Sequence, residues 1–338
     1  MDSSQDTRPN TVVLHQFTGI GDLIWHIQYF KAVAAQSRGG KVTVIAQPST
    51  FARQILSHEP WVDAVIDHDH RPRRGEGRRS AHGGPLGIYR FAQSLKPHRF
   101  DRIVLFSGRL SRGLLAWWSG IPIRMGYGYN LLQRLCLNAP PYIPRYEGPA
   151  VAVLKETSAF AVAQGFCARP LVPRMAVPDA ELAQVGTRLE GLPRPLVALA
   201  IGTSEARKQW GGQQFRTLGE RLAASGAGVV VLGGPGEAEL AREIVDGIDP
   251  ALRSRVRAIT DLSILGSAAA LKHADACVGN DTGMVNISAA VERPTFVLLG
   301  NRPVLDHDPL LHCLKAPSLA ELSVEVVLAA LKPVMARS

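Results

Sequence analysis

Short apolar segments alternate with amphipathic segments along most of this chain, and this alternation restricts the fold more than any other feature. Thr11–His15 and Lys41–Ala46 hold runs of largely apolar residues, as strands do when a parallel sheet is covered on both faces. The segment from Asp22 to Gln36 instead has apolar residues at helical spacing. Strand, glycine turn, helix and strand make a βαβ unit, so the pattern predicts a doubly wound α/β fold.

The alternation starts again in the second half of the chain, after prolines at positions 170, 173 and 178. A chain of 338 residues is also longer than one hydrophobic core usually supports. We therefore expect two Rossmann-like domains, residues 1–172 and 173–338, that face each other across a cleft and bind ligands at the carboxyl ends of their strands. The last helical segment, Leu319–Leu331, has room to pack back on the first domain.

The charge of the chain indicates an anionic partner. There are 38 Lys and Arg against 29 Asp and Glu, a net charge of +9. A phosphorylated substrate, an anionic membrane surface or nucleic acid would fit this charge, and so would an Arg-rich composition of the whole organism. No nucleic-acid recognition motif is present, so nucleic acid is not expected as a partner.

The cysteines and the apolar segments predict a cytoplasmic protein. The four cysteines are far apart and form no CxxC pair, which argues against a disulfide framework and a zinc site. The first ten residues lack the apolar core of a signal peptide. No apolar stretch reaches the roughly 20 residues of a membrane helix, so any contact with a membrane would be peripheral.

The segment Gly279–Gly283 follows a predicted strand and opens a predicted helix. Helix N-termini offer free N–H groups and the positive end of a dipole, which bind phosphate oxygens. Thr282 adds a hydroxyl donor, and Gly283 lets a phosphate approach the backbone. The alternative is that Asp281 or Thr282 is only a helix cap. The flanking glycines favour a ligand site.

A second candidate phosphate site follows the strand that ends at Ile201. Thr203 and Ser204 form a small polar turn, and Lys208 can reach a diphosphate as a mobile charge, with Arg207 as its neighbouring rival. The spacing is not that of a Walker A loop, which argues against nucleotide hydrolysis.

Two carboxylates also follow predicted strands. Glu237, after a Gly-rich turn, could bind ribose hydroxyls, although a first-turn Glu often only complements the helix dipole. Asp22, after Gly19 and Gly21, could be a general base for an acceptor hydroxyl or a plain cap. A GxGxxG dinucleotide motif is excluded because Ile24 stands where the third glycine is needed.

A loop rich in Arg, Gly and His extends from Arg71 to Gly84. One interpretation is that its arginines, among them Arg71, Arg73 and Arg74, belong to an ordinary solvated loop. The alternative is that they bind an anionic acceptor. The His spacings along the chain do not fit a metal site, and no metal or other cofactor is expected.

Taken together, these residues resemble the family 9 glycosyltransferases, which include the ADP-heptose:lipopolysaccharide heptosyltransferases. The resemblance extends from about Val12 to Leu331. Its motifs are Gly19–Asp22, Thr203 with Lys208, Gly233–Glu237 and Asp281–Gly283, together with the segment from Arg99 to Gly128 that contains Arg124.

The resemblance implies a GT-B fold and inverting transfer of a sugar from a nucleotide diphosphate without a metal. Asp22 matches the catalytic base, and Lys208 would also offset charge on the leaving group. The implied donor-binding residues are Gly21, Thr203, Ser204, Lys208, Glu237, Leu262, Asp281, Thr282, Gly283 and Asn286. The implied acceptor-binding residues are Arg71, Arg73, Arg74 and Arg124.

One position departs from the family pattern, because Asn286 stands where the family usually has His. Asn donates a hydrogen bond but does not become a cation near neutral pH, so the sugar donor could differ from ADP-heptose.

The expected function is heptose transfer to an anionic glycolipid or oligosaccharide of the lipopolysaccharide core or a related surface glycan. The enzyme would lie in the cytoplasm or on the cytosolic face of the inner membrane. The alternatives are another nucleotide-sugar enzyme, such as a hexosyltransferase or an epimerase, and a non-catalytic paralogue that binds nucleotides or glycans.

Overall fold

The computed structural model describes residues 6–72, 77–203 and 205–336. The chain divides into two compact units, one ending at Val172 and the other beginning at Pro173. Each unit has its own parallel sheet with helices packed on it.

Among the described residues of the first unit, five strands form one parallel sheet in the spatial order 3-2-1-4-5. The strands are β1 (Thr11–His15), β2 (Val42–Ala46), β3 (Val62–Asp67), β4 (Arg102–Phe106) and β5 (Ile123–Gly126). The helices are α1 (Ile20–Ala35), α2 (Ala52–Leu56), α3 (Gly84–Ser94), α4 (Leu110–Trp118), α5 (Leu131–Cys136) and α6 (Ala152–Ala163).

The central strands of this sheet are buried because both of its faces carry helices. Strand β1 pairs in parallel with β2 on one side and with β4 on the other. Val12 and Leu14 pack on the side of α3 and α4, against Phe91 and Leu115 among others. All five residues of β1 are buried, which explains its unbroken apolar pattern.

In the described part of the second unit, six strands form one parallel sheet in the spatial order 11-10-9-6-7-8. The strands are β6 (Leu196–Ala200), β7 (Gly228–Leu232), β8 (Val256–Ile259), β9 (Ala276–Asn280), β10 (Thr295–Gly300) and β11 (Leu311–Lys315). The helices are α7 (Asp179–Leu189), α8 (Gly212–Ala224), α9 (Ala238–Asp246), α10 (Ile264–His273), α11 (Gly283–Ala290) and α12 (Val324–Met335).

The last helix begins five residues later than the sequence pattern predicts. Ser323 caps it, because its hydroxyl accepts a hydrogen bond from the N–H of Val326. Val327 and Leu331 lie in the core of the second unit together with residues of α8. Packing of this helix on the first unit stays a prediction. Within the described residues, no helix is long and apolar enough to cross a membrane.

Candidate active site

The candidate donor site lies at the carboxyl ends of β6 and β9. These strands are neighbours, and the chain continues from β6 toward β7 on one side and from β9 toward β10 on the other. In doubly wound sheets ligands bind at such a reversal of strand order. Thr203 and Lys208 follow β6, while Asp281, Thr282 and Gly283 follow β9.

Asn280, the last residue of β9, joins the two strand ends. It is fully buried, and its Nδ2 donates to the carbonyl of Ile201 at 2.8 Å and to Gln209 Oε1 at 3.0 Å. Its Oδ1 accepts from the N–H of Trp210 at 3.0 Å. These bonds hold the loop that carries Lys208 beside the end of β9. A glycine precedes Asn280 because a Cβ at position 279 would lie 2.7 Å from the Cβ of Ala200.

Lys208, Asp281 and Arg302 form a charged cluster at this edge of the sheet. Lys208 Nζ lies 3.6 Å from Asp281 Oδ2 and 3.1 Å from Glu205 Oε1. Arg302 Nη1 forms an ion pair with the same Asp281 oxygen. The hydrogen bond from Lys208 is the main cause that lowers the pKa of Glu205 below its ordinary value.

The neighbouring cation Arg207 has a different environment from Lys208. Its side chain is 72% exposed and pairs with Glu205, whereas the Lys208 side chain is 22% exposed. Of the two rivals, the structure thus brings Lys208 to Asp281.

The turn between β9 and α11 leaves polar groups available. Thr282 is the N-cap residue of α11, and its buried hydroxyl has no hydrogen-bond partner among the described residues. Asn286 is buried beneath this turn and donates from Nδ2 to the carbonyl of Thr282 at 2.9 Å. The N–H groups at the start of α11 remain suited to an anion.

Thr203, Glu237 and Leu262 lie at the ends of β6, β7 and β8. The Thr203 hydroxyl accepts from the N–H of Glu205 at 3.2 Å. Glu237 Oε2 accepts from the N–H of Gly234 at 2.8 Å, and its carboxyl carbon is 3.4 Å from the position that a Cβ on Gly202 would occupy. Leu262 is half-buried just before α10. Ser204 lies outside the described residues.

In the first unit, Gly21 and Asp22 lie in the first turn of α1, directly after β1. The order of strands reverses here too, between β1 and β4. Gly19 leaves room for the carboxylate, because a Cβ at position 19 would lie 2.7 Å from Asp22 Oδ2.

A buried hydrogen-bond chain fixes the backbone of Asp22. His26 Nδ1 donates to the carbonyl of Asp22 at 2.6 Å. Burial lowers the pKa of His26 to about 4, so the ring is neutral at pH 7 and its Nε2 accepts from the Thr157 hydroxyl at 2.9 Å. Tyr127 then donates its hydroxyl to Thr157 Oγ1 at 3.2 Å. Helix α6 and the segment just after β5 therefore support this turn through His26.

Of the four predicted acceptor arginines, the structure describes Arg71 and Arg124. Arg71 is exposed beyond the carboxyl end of β3, and Arg73 and Arg74 lie outside the described residues. The guanidinium of Arg124 donates to the carbonyls of Ile121 and Cys136, at 2.9 and 2.8 Å. Ile121 precedes β5, so Arg124 is held at the amino end of its strand, whereas Asp22 follows the carboxyl end of β1. These bonds give Arg124 a structural role, and its predicted acceptor role stays a prediction.

Sequence reasoning missed Arg302 and Asn280. Arg302 follows β10 in a segment without a recognisable motif, and only the pairing of β10 with β9 brings it to Asp281. Asn280 had a signal, because it is the polar end of a buried strand. Within the described residues, no group of three or more His, Cys, Asp or Glu could hold a metal ion.

Comparison with known proteins identifies the family. The protein-family model for glycosyltransferase family 9 (heptosyltransferase) matches residues 88–321. Lipopolysaccharide heptosyltransferase 2 of Escherichia coli K12 is 23% identical over 291 residues, which cover 83% of this chain and 80% of the relative.

Two solved structures have the same fold as this chain. The E. coli ADP-heptose lipopolysaccharide heptosyltransferase II matches with a TM-score of 0.75 at 19% identity and covers 97% of this chain and 99% of its own. An E. coli heptosyltransferase with ADP-2-deoxy-2-fluoro heptose matches with a TM-score of 0.71 at 21% identity, over 96% and 99%. The predicted GT-B type of fold, with two doubly wound domains, is confirmed. Because the family model matches more than half of the chain, this protein belongs to glycosyltransferase family 9 and is a glycosyltransferase.

Proposed function

We propose that this enzyme transfers heptose from ADP-heptose to an acceptor of the lipopolysaccharide core. The observation that carries the proposal is the convergence of Lys208, Asp281 and Thr282 at the strand reversal of the second unit. The similar proteins named above are heptosyltransferases, and one structure contains an ADP-heptose analogue. Family membership argues against the alternative of a sugar epimerase.

In the proposed complex, the second unit holds the donor. The diphosphate would lie at the N-terminus of α11, with the hydroxyls of Thr203 and Thr282 and the charge of Lys208 around it. Gly283 would let the phosphate approach the backbone. Glu237 would bind the ribose hydroxyls, and Leu262 would pack on the adenine. Asn286 would support this loop from below through the carbonyl of Thr282.

The chemistry we infer is an inverting displacement. Asp22 takes the proton of the acceptor hydroxyl as that oxygen attacks the anomeric carbon. The bond between the anomeric carbon and the diphosphate oxygen breaks, and ADP leaves with the electron pair. Lys208 and Arg302 then offset the negative charge that develops on the diphosphate. Gly21, next to the base, gives the donor or acceptor close access to the backbone.

The first unit is assigned to the acceptor because it carries the positive charge. Residues 1–172 contain 21 Lys and Arg against 11 Asp and Glu, whereas residues 173–338 contain 17 against 18. A phosphorylated glycolipid or oligosaccharide would be attracted to the first unit. Arg71, Arg73 and Arg74 remain the proposed acceptor contacts. We assign the reaction to the cytoplasm, where nucleotide sugars are made.

A thermal-shift panel followed by a transfer assay tests this function. ADP and ADP-heptose at 100 times their Kd should each stabilise the protein by about 2.7 kcal/mol, and UDP-, GDP- and dTDP-sugars at the same concentration should stabilise it much less. Heptose should then appear on heptose-deficient lipopolysaccharide and not without it. Preference for a UDP-hexose would overturn the donor assignment. Donor binding without any transfer would favour the non-catalytic alternative, and loss of the sugar without acceptor would favour an epimerase.

A further inference from the structure

Helix α5 exposes its apolar side and buries a polar residue. Leu131, Leu132 and Leu135 are 71%, 60% and 71% exposed, while Gln133 of the same helix is fully buried. Single exposed leucines are ordinary on protein surfaces, but three on one short helix make an apolar patch that normally marks a binding surface.

The orientation of α5 is fixed by the hydrogen bonds of Gln133. Its Nε2 donates to the carbonyl of Ser107 at 2.8 Å, and its Oε1 accepts from the N–H of Gly128 at 2.9 Å. The Asn130 side chain caps the helix by accepting from the N–H of Gln133 at 2.9 Å. A rotation that buried the leucines would break these bonds and leave buried polar groups unpaired.

Trp117 of α4 is a further exposed apolar side chain, on the helix that packs against α5. Gly113 of α4 faces Cys136 of α5, since a Cβ at position 113 would lie 3.1 Å from the Cβ of Cys136. Trp117 is one helical turn further along the same face of α4, and it is 55% exposed. We call Trp117, Leu131, Leu132 and Leu135 the leucine patch.

Three arginines lie on or beside the helices that carry the leucine patch. Arg109 and Arg134 are exposed at the start of α4 and within α5, and Arg124 donates to the last carbonyl of α5. Among the described residues, none of these three arginines forms an ion pair with a carboxylate. From Leu86 to Arg145 the sequence holds nine Lys and Arg and a single acid, Asp101.

We propose that the leucine patch docks this enzyme on the surface of an anionic phospholipid bilayer. The leucines and Trp117 would enter the interface, and the exposed Arg109 and Arg134 would contact lipid phosphates, because amphipathic surfaces of this kind bind through apolar area and charge together. A second copy of the chain fits this surface less well, since a two-fold contact would bring the same arginines against each other.

Vesicle co-sedimentation of the full-length protein tests the proposal without any donor or acceptor, so it stands or falls separately from the proposed function. The wild-type protein should bind phosphatidylglycerol vesicles strongly and phosphatidylcholine vesicles weakly, and high salt should weaken the binding. The double variant Leu131→Ser/Leu135→Ser should bind phosphatidylglycerol vesicles at least about tenfold more weakly. Bromine-labelled acyl chains should quench wild-type Trp fluorescence, and Trp117→Phe should lose most of that quenching.

The matched control is Val326→Ser, which removes an exposed apolar side chain from α12 in the second unit. It should bind vesicles like the wild type, and all variants should keep the wild-type Tm because the changed side chains are exposed. Wild-type protein that ignores phosphatidylglycerol vesicles, or a double leucine variant that still binds them normally, would overturn the proposal. A wild-type dimer in light scattering that the double variant converts to a monomer would assign the patch to a second copy instead.

Discussion

Lys208 Nζ lies 3.6 Å from Asp281 Oδ2, so an ion pair joins the loop after β6 to the turn after β9. Arg302 pairs with the same oxygen, and Glu205 pairs with both Lys208 and Arg207. Within the described residues, this cluster holds three cations and two carboxylates. A diphosphate bound in this cluster would be attracted by its excess positive charge. It would also compete with Asp281 for Lys208.

Replacing Lys208 should weaken donor binding. In Lys208→Gln the diphosphate loses a charged hydrogen-bond donor, which is worth about 1.5–3 kcal/mol, so the Kd for ADP should rise by about ten- to a hundredfold. Isothermal titration calorimetry measures this change. Arg207→Gln is the control, because its exposed side chain pairs with Glu205 alone among the residues that the structure describes, and its Kd should stay within about threefold of the wild type. Equal losses in both variants would contradict the assignment of Lys208.

Replacing Arg302 should affect both binding and stability. Its Nε donates to the carbonyl of Leu299 at 3.2 Å and its Nη2 to that of Leu298 at 3.3 Å, besides the pair with Asp281. Arg302→Gln should cost about 1–3 kcal/mol in the free energy of unfolding and should raise the Kd for ADP. Arg302→Lys keeps the charge without the forked geometry, so it should recover part of the affinity but little of the stability. Urea unfolding and calorimetry check the two effects. Unchanged ADP affinity in Arg302→Gln would limit Arg302 to a structural role.

The loops of the candidate donor site could be predicted because their residues stand next to strands that are visible in the sequence. Asp281 and Thr282 follow the buried strand that ends at Asn280. The free N–H groups at the start of the next helix suit an anion wherever that strand lies in the sheet. Arg302 could not be predicted, since its role depends on the pairing of β10 with β9, which only the folded sheet provides. The acceptor role of Arg124 stays a prediction, and its hydrogen bonds to the carbonyls of Ile121 and Cys136 could not be foreseen for the same reason. Its position along β5 decides which edge of the sheet it reaches, and the sequence does not contain that register.

Replacing the proposed base should separate catalysis from binding. Asp22→Asn keeps the size of the side chain but cannot take a proton, so transfer should fall by about a hundred- to ten-thousandfold. The Kd for ADP should stay unchanged, because the proposed donor-binding groups belong to the second unit. Asp63→Asn, which changes an exposed carboxylate on β3, is the control and should keep full activity. An Asp22→Asn enzyme with near-normal turnover would exclude Asp22 as the base.

The hydrogen-bond chain behind Asp22 predicts a difference between two variants of Thr157. Thr157→Val removes the hydroxyl and leaves buried groups of His26 and Tyr127 unpaired, which should cost about 1–3 kcal/mol of unfolding free energy. Because His26 holds the carbonyl of Asp22, kcat should fall as well while the KM for the donor stays similar. Thr157→Ser keeps the hydroxyl and should retain most of the stability and kcat. If Thr157→Val lost stability with an unchanged kcat, the hydrogen-bond chain would stabilise the fold without positioning Asp22.

Buried histidines should make the protein less stable as the pH falls. His68 is fully buried, and burial is the main cause that lowers its pKa far below the ordinary value of 6.5. The unfolded chain therefore takes up a proton at His68 near pH 6.5, whereas the folded protein does not until much lower pH. The stability from neutral His68 is complete above pH 6.5 and decreases as the pH falls below it, by up to about 1.4 kcal/mol per pH unit. His26, whose pKa is about 4, should act in the same direction between pH 6.5 and 4.

Urea unfolding from pH 7.5 to 5 measures the slope of stability against pH. His68→Leu should reduce the slope by about 1.4 kcal/mol per pH unit, and His58→Gln, at an exposed position, should keep the wild-type slope. An unchanged slope in His68→Leu would mean that His68 takes up its proton in the folded protein as well.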